Sequence, residues 1–326
     1  MRTTIEVFAI QIKNIDGFLD FSDDPDLFAI LSDTENGFVK YIDTHSTGDI
    51  PTLHRTVRIP KSEVTDEDDM VKYYHKNNEG RYICGIIETG AYGKEYDVAD
   101  KDDPKRPSFT VSKDQAIIKP FFYYLKIPRK GTKALLILER TENEGIYPMM
   151  NLMLIGFLSK TFGVEQLFKI DKTNVILGSY LDELKNSRYK SVTLTANKLS
   201  TDMSERYFGK LEVQDFTLEL TFKFKNKIGE DKERAIREMI NSGQVLLDTP
   251  SLNDIFDADN PKVVATTGTG KQARNRTYYM GKNVDSIRPY YDIVVEANDK
   301  NFSDYRSIKE VVKKFVAETP DFNVFK

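Results

Sequence analysis

Phe121-Phe-Tyr-Tyr-Leu-Lys-Ile-Pro-Arg-Lys-Gly-Thr-Lys-Ala-Leu-Leu-Ile-Leu138 is the stretch on which the fold class turns. Residues 121–127 and 134–138 are apolar runs of strand length, and residues 128–133 between them supply turn chemistry, so the segment reads as a hairpin with a basic tip. Just beyond, Asn143-Glu-Gly145 turns the chain and Pro148 stands where a first helical position would be. Residues 149–162 are then apolar on nearly every face until Gly163 stops them. At about 14 residues that helix is too short to span a bilayer, so it is expected to be buried or covered by a partner. Met149, Met150 and Met153 are read as core filling before an adaptable binding surface.

Downstream, Phe216, Leu218, Leu220, Phe222 and Phe224 alternate with polar residues, the period-two signature of a half-buried strand whose polar face turns basic at Lys223, Lys225 and Lys227. Residues 232–240 read as an amphipathic helix ended by Asn241-Ser-Gly243, residues 292–296 as a strand, and residues 303–316 as a helix capped by Ser303 or Asp304. Upstream, residues 5–12, 27–31, 38–42, 56–59 and 81–90 read as strands, whereas residues 95–108, with four aspartates, Glu95 and two prolines, read as a loop or linker. Strands and helices do not alternate regularly. The expected class is therefore α+β, a β-rich amino-terminal domain over 1–115 followed by a mixed domain over 116–326 with a largely antiparallel sheet.

Charge supports the same division. Residues 1–115 carry 14 Lys+Arg against 23 Asp+Glu, a balance of −9, and residues 116–326 carry 33 against 28, a balance of +5. A single cysteine, Cys84, forbids an internal disulfide and a cysteine-based zinc site, and its apolar strand context makes it a small buried hydrophobe rather than a nucleophile. The amino terminus alternates polar and apolar residues, which suits a strand better than a signal peptide, and no apolar run reaches membrane-spanning length. A cytoplasmic location is expected, with no membrane insertion. His45, His54 and His75 show no zinc-motif spacing, and no G-x-S-x-G occurs. No cofactor is expected.

The strongest functional lead is residues 261–282, where Lys262, Lys271, Arg274, Arg276 and Lys282 lie between Asp259 and Asp285 without a carboxylate among them. Ala265-Thr-Thr-Gly-Thr-Gly-Lys271 approaches a phosphate-binding loop, but Gln272 stands where a magnesium-holding hydroxyl is required, which removes nucleotide hydrolysis and leaves phosphate contact. With Tyr278 and Tyr279 beside it, the segment reads as a flexible cationic loop suited to a nucleic-acid backbone. Three basic groups are candidates for one DNA-binding surface: Arg129, Lys130 and Lys133 at the hairpin tip; Lys223, Lys225 and Lys227 on the alternating strand; and Lys271, Arg274, Arg276 and Lys282 in the late segment. A divalent-metal nuclease is the enzymatic alternative, because it needs clustered carboxylates; Asp215 with Glu230, and Asp292 with Glu296, supply the residue types in loose patterns. A third reading makes the 149–162 helix a docking element in a larger complex.

From Phe121 to Val316, the series of hairpin, helix, long alternating strand and the basic segment Gln272-Ala-Arg-Asn-Arg-Thr-Tyr-Tyr-Met-Gly281 resembles the layout of phage-exclusion and anti-phage defence proteins of the RexA and KwaB type. The resemblance implies a double-stranded DNA-binding protein without nucleotide hydrolysis, acting in antiviral defence with a partner protein or as a homodimer. No catalytic residue follows from it.

Overall fold

In the computed structural model the described residues are 1–23, 25–45, 53–60, 73–141, 144–178, 188–196, 218–224, 231, 234, 257–267, 274–279 and 289–325. The expected helix over 232–240 lies almost entirely outside them. The elements run β1 (Arg2–Asn14), β2 (Gly17–Phe18), α1 (Leu27–Leu31), α2 (Phe38–His45), β3 (Arg55–Arg58), β4 (Tyr74–Asn77) and β5 (Tyr82–Ala91), then β6 (Tyr96–Asp100), β7 (Asp103–Val111), β8 (Lys119–Lys126), β9 (Ala134–Thr141) and β10 (Glu144–Gly145). There follow α3 (Tyr147–Phe162), β11 (Lys169–Asn174), β12 (Arg188–Ala196), β13 (Leu218–Lys223), β14 (Asp257–Thr267), β15 (Arg274–Tyr279), β16 (Tyr291–Val294) and α4 (Tyr305–Glu318). The fold is α+β, with a large antiparallel sheet.

That sheet has the strand order β11-β1-β9-β8-β5-β3, with β2 and β16 on β1, β10 on β9 and β4 on β5. The opening hairpin forms its centre: β8 and β9 pair antiparallel from Tyr123↔Leu138 to Lys126↔Leu135. Both strands read as continuous apolar runs because both faces are covered. Phe121, Tyr123, Leu125, Leu136 and Leu138 join the core with Leu27, Phe28, Phe38 and Ile42, and with Met149, Met150, Leu154 and Phe157. The alternate residues Phe122, Tyr124, Leu135 and Ile137 are equally buried on the other side. Each such side chain contributes about 1.5–3 kcal/mol on leaving water. α3 approaches α2 closely: a Cβ added at Gly156 would fall 2.3 Å from the Tyr41 hydroxyl, so a larger residue there requires the Tyr41 side chain to shift.

Residues 27–31 and 38–42, expected as strands, are helices. The signal for the first is Asp26, whose carboxylate accepts the Phe28 amide as an N-cap at 2.9 Å. Short apolar runs have no period long enough to separate a buried strand from a helical turn. Residues 95–108, expected as a loop or linker, form most of the β6–β7 ribbon, pairing Tyr96↔Val111, Asp97↔Thr110 and Val98↔Phe109.

The chain also divides differently from the expected 1–115 and 116–326. One unit holds residues 1–173 and 290–326, the other 174–289. β5 and β8 pair across position 115, from Tyr82↔Lys126 to Thr89↔Lys119. β1 and β16 pair Arg2↔Val294 to Ile5↔Tyr291, which returns the carboxy-terminal segment to the first strand. The second unit contains a four-stranded sheet, β13-β12-β14-β15, antiparallel throughout.

Candidate nucleic-acid interface

The tip between β8 and β9 is tied at several points. Gly131 has φ +86, a left-handed conformation open to glycine at no steric cost. Its N–H donates to Asp20 Oδ1 at 3.3 Å and its carbonyl accepts the Phe21 N–H at 2.8 Å. Thr132 Oγ1 accepts from Gln11 Nε2 at 2.9 Å. At the root, Arg81 donates Nε to the Ile127 carbonyl at 3.0 Å and clasps Asp26 through both terminal nitrogens at 2.9 and 2.7 Å. Arg81 positions the hairpin and was not among the expected site residues; no spacing in the sequence marks it.

Arg129, Lys130 and Lys133 are all exposed on this tethered tip, and among the described residues none forms an ion pair. The Asp20 carboxylate, which accepts the Gly131 N–H, is held below its usual range first by hydrogen bonds from the Ser22 hydroxyl and amide, so it stays ionised. The three cationic side chains remain free to meet phosphate oxygens, while the backbone that carries them is fixed.

The other candidates belong to the second unit. Lys223 ends β13, exposed, across from Ser191. Within residues 261–282, expected as a flexible loop, the described residues 261–267 and 274–279 lie in paired strands: β14 and β15 pair from Lys262↔Tyr279 to Thr267↔Arg274, with Ala265↔Arg276 between. Ser191 also pairs with Val264, whereas Val192, Val263 and Ala265 form the buried face. Alternation therefore assigns Lys223 to one face of the sheet and the Arg274 and Arg276 positions to the other, at opposite edges. Lys225, Lys227, Lys271 and Lys282 lie outside the described residues.

Two further centres are built from polar groups. Glu139 is 3% exposed in the sheet interior, and accepts from Thr3 Oγ1 at 3.1 Å, from the Phe122 N–H at 2.9 Å and from the Ser303 hydroxyl. Burial raises its pKa, and the three donors pull the other way. The carboxylate joins the first strand, the central hairpin and the turn before α4. Cys84 is buried with its thiol pushed up to about 12 by desolvation, which suits a small hydrophobe. His75 faces it across the β4–β5 pair, with its own pKa lowered by desolvation and by Lys309 and Lys313.

Of the carboxylates considered for a metal, Asp215 and Glu230 lie outside the described residues. Asp292 is exposed on β16 and accepts from Thr4 Oγ1 at 3.2 Å; Glu296 is exposed beyond that strand's end. Among the described residues no three His, Cys, Asp or Glu side chains gather as a metal-holding group, and no helix is long and apolar enough to cross a membrane.

Counted over the structural units, the charge contrast narrows. Residues 174–289 carry 18 Lys+Arg against 16 Asp+Glu, and the remainder 29 against 35. What fold and site define together is an α+β protein that, among the described residues, carries an exposed cationic triplet on a tethered hairpin tip. No protein-family model, curated protein or solved structure gives a significant match to the chain.

Proposed function

We propose that this chain is a non-enzymatic DNA-binding protein that contacts the phosphate backbone without reading sequence, and that it serves antiviral defence against phage. Arg129, Lys130 and Lys133 make the primary contact. Lys223, Lys225, Lys227, Lys271, Arg274, Arg276 and Lys282 add further cations from the second unit. The observation that carries the reading is the exposed, unpaired cationic triplet on a backbone pinned through Gly131, Thr132 and Ile127. Such a tip meets phosphate with little ordering cost, and each contact releases a condensed counterion. The anti-phage role, with a partner protein of a defence system and a cytoplasmic setting, rests on the resemblance in layout.

Electrophoretic mobility shift with a double-stranded DNA of arbitrary sequence tests the reading at low ionic strength. A retarded complex that weakens when Lys271, Arg274 and Arg276 become alanine, and weakens further when the tip triplet is changed, is the expected result. Absence of any complex at low salt would sink it. Incubating the same protein with plasmid and magnesium or manganese separates binding from cleavage, because only a nuclease accumulates nicked or linear product.

A further inference from the structure

The two sides of β4 are engaged by different elements. Tyr74 donates its hydroxyl to the Ser32 carbonyl at 3.4 Å and Lys76 Nζ stands 5.9 Å from the Phe28 ring centroid, both towards α1. His75 faces the other way. It pairs with Cys84, which pairs with Tyr124, so the three lie in one row across β4, β5 and β8. Its ring is 5.8 Å from that of Tyr82, which is itself stacked on Tyr124 at 4.7 Å. α4 lies over this row: the Tyr305 ring is 5.2 Å from Tyr73 and 6.4 Å from Phe122, and Cys84 beneath is fully buried.

We propose that α4 is an acid-released cover: protonation of His75 loosens its hold on the β4–β5–β8 face and uncovers Cys84. Imidazole is the side chain whose ordinary titration falls between about pH 5 and pH 8. Among the described residues, the titratable and charged groups facing His75 are Tyr73, Tyr82 and Cys84 from the sheet, and Tyr305, Lys309, Glu310 and Lys313 from α4. One carboxylate serves both lysines, since Glu310 pairs with Lys313 at 3.0 Å and with Lys309 at 3.8 Å. A charged imidazole would be a third cation on that anion. Tyr82, Cys84 and Tyr305 offer no compensating charge, because burial pushes each of them up and keeps it neutral. His75 is accordingly held below its usual value, first by desolvation and then by the two lysines. The docked state therefore carries the neutral ring; its advantage is present above the ordinary imidazole value and shrinks as pH falls through it. The start of α4 is tied separately, through the Ser303 hydroxyl to Glu139, whose pKa is raised, so that contact strengthens in acid. Loosening belongs to the part of α4 over β4, where a local opening needs less than global unfolding.

This inference is independent of the nucleic-acid reading, and its test contains no DNA. Cys84 is the only cysteine, so a single thiol reports the opening. Labelling with dithiodipyridine, which takes up thiols in acid as well as at neutrality, is timed on the native chain and on the urea-unfolded chain at each pH, and the ratio of the rates is the protection. That ratio should fall several-fold between about pH 7.5 and pH 5.5 in the parent. His75→Gln, which stays neutral, should hold it level, and Glu310→Gln, which removes the shared carboxylate, should move the fall to higher pH. Hydrogen exchange places the opening: amides of 305–318 should lose protection in acid while those of 121–127 and 134–138 keep theirs. Should His75→Gln prove misfolded by circular dichroism, Lys309→Gln combined with Lys313→Gln takes its place and should move the fall to lower pH. Protection of Cys84 that is the same at both pH values, a folded variant that opens in acid just as the parent does, or equal loss across the hairpin and α4 would each overturn the proposal.

Discussion

The Asp26 carboxylate caps α1 through the Phe28 amide and holds the guanidinium of Arg81, which in turn supports the Ile127 carbonyl at the hairpin root. Its pKa is lowered, first by the hydrogen bond from Arg81. A depressed folded-state value means the contribution is present above the unfolded value and lost as pH falls through the folded one. Asp26→Asn should therefore lower stability by about 1–2 kcal/mol near neutrality, with the difference closing in acid; urea midpoints across a pH series measure it. Glu139 should behave in the opposite sense. Its pKa is raised by burial, so its contribution is greatest below the ordinary carboxylate value and lost as pH rises through the folded one. The wild type should lose ground to Glu139→Gln between acid and neutral pH, whereas Glu139→Ala, which orphans the Phe122 N–H, should cost about 1–3 kcal/mol. At this scale the sequence discloses Cys84 as buried from its apolar neighbours. It hides Glu139, because the donors Thr3 and Ser303 come from opposite ends of the chain.

Elements whose pattern outlasts one turn are legible. The 121–138 hairpin and the helix after Pro148 show as long apolar runs bounded by turn residues, and the alternating strand at Leu218–Lys223 carries its period locally. So does α4, where Ile308 and Val312 are buried one turn apart and Asp304 Oδ1 accepts the Ser307 amide at 2.9 Å. Asp304→Ala should cost about 1 kcal/mol, read as a lowered melting temperature. α1 and α2 are too short to declare a period, and β7 hides behind Pro104, Pro107 and its charges, residues that strands usually avoid. The late basic segment reads as a loop for the same reason: glycines at 268 and 270 dominate its middle, while the pairing of Ala265 with Arg276 is visible only once both strands are in register.

Across the whole molecule, a boundary drawn along the chain assumes contiguous domains, and this chain is not contiguous in that sense. The unit formed by 1–173 closes with 290–326 because Arg2–Ile5 pair with Tyr291–Val294. No local signal carries a pairing of that separation. The charge contrast weakens for the same reason, since basic residues of α4 belong with the acidic amino-terminal strands. The proposed cationic contact then belongs to particular positions more than to a whole domain, and among the described residues the exposed triplet on the tethered hairpin tip is the one on which the proposal rests. The direct measurement is the salt dependence of duplex DNA affinity, by fluorescence anisotropy, for the parent chain and for Arg129→Ala, Lys130→Ala, Lys133→Ala combined. The parent should bind with an affinity that falls linearly in log–log form as salt rises, and the triple variant should bind more weakly with a slope shallower by about 2.7, at ~0.9 per lost contact. A parent chain with no affinity at low salt, or a folded triple variant with unchanged affinity and slope, would contradict the claim that this tip meets the phosphate backbone.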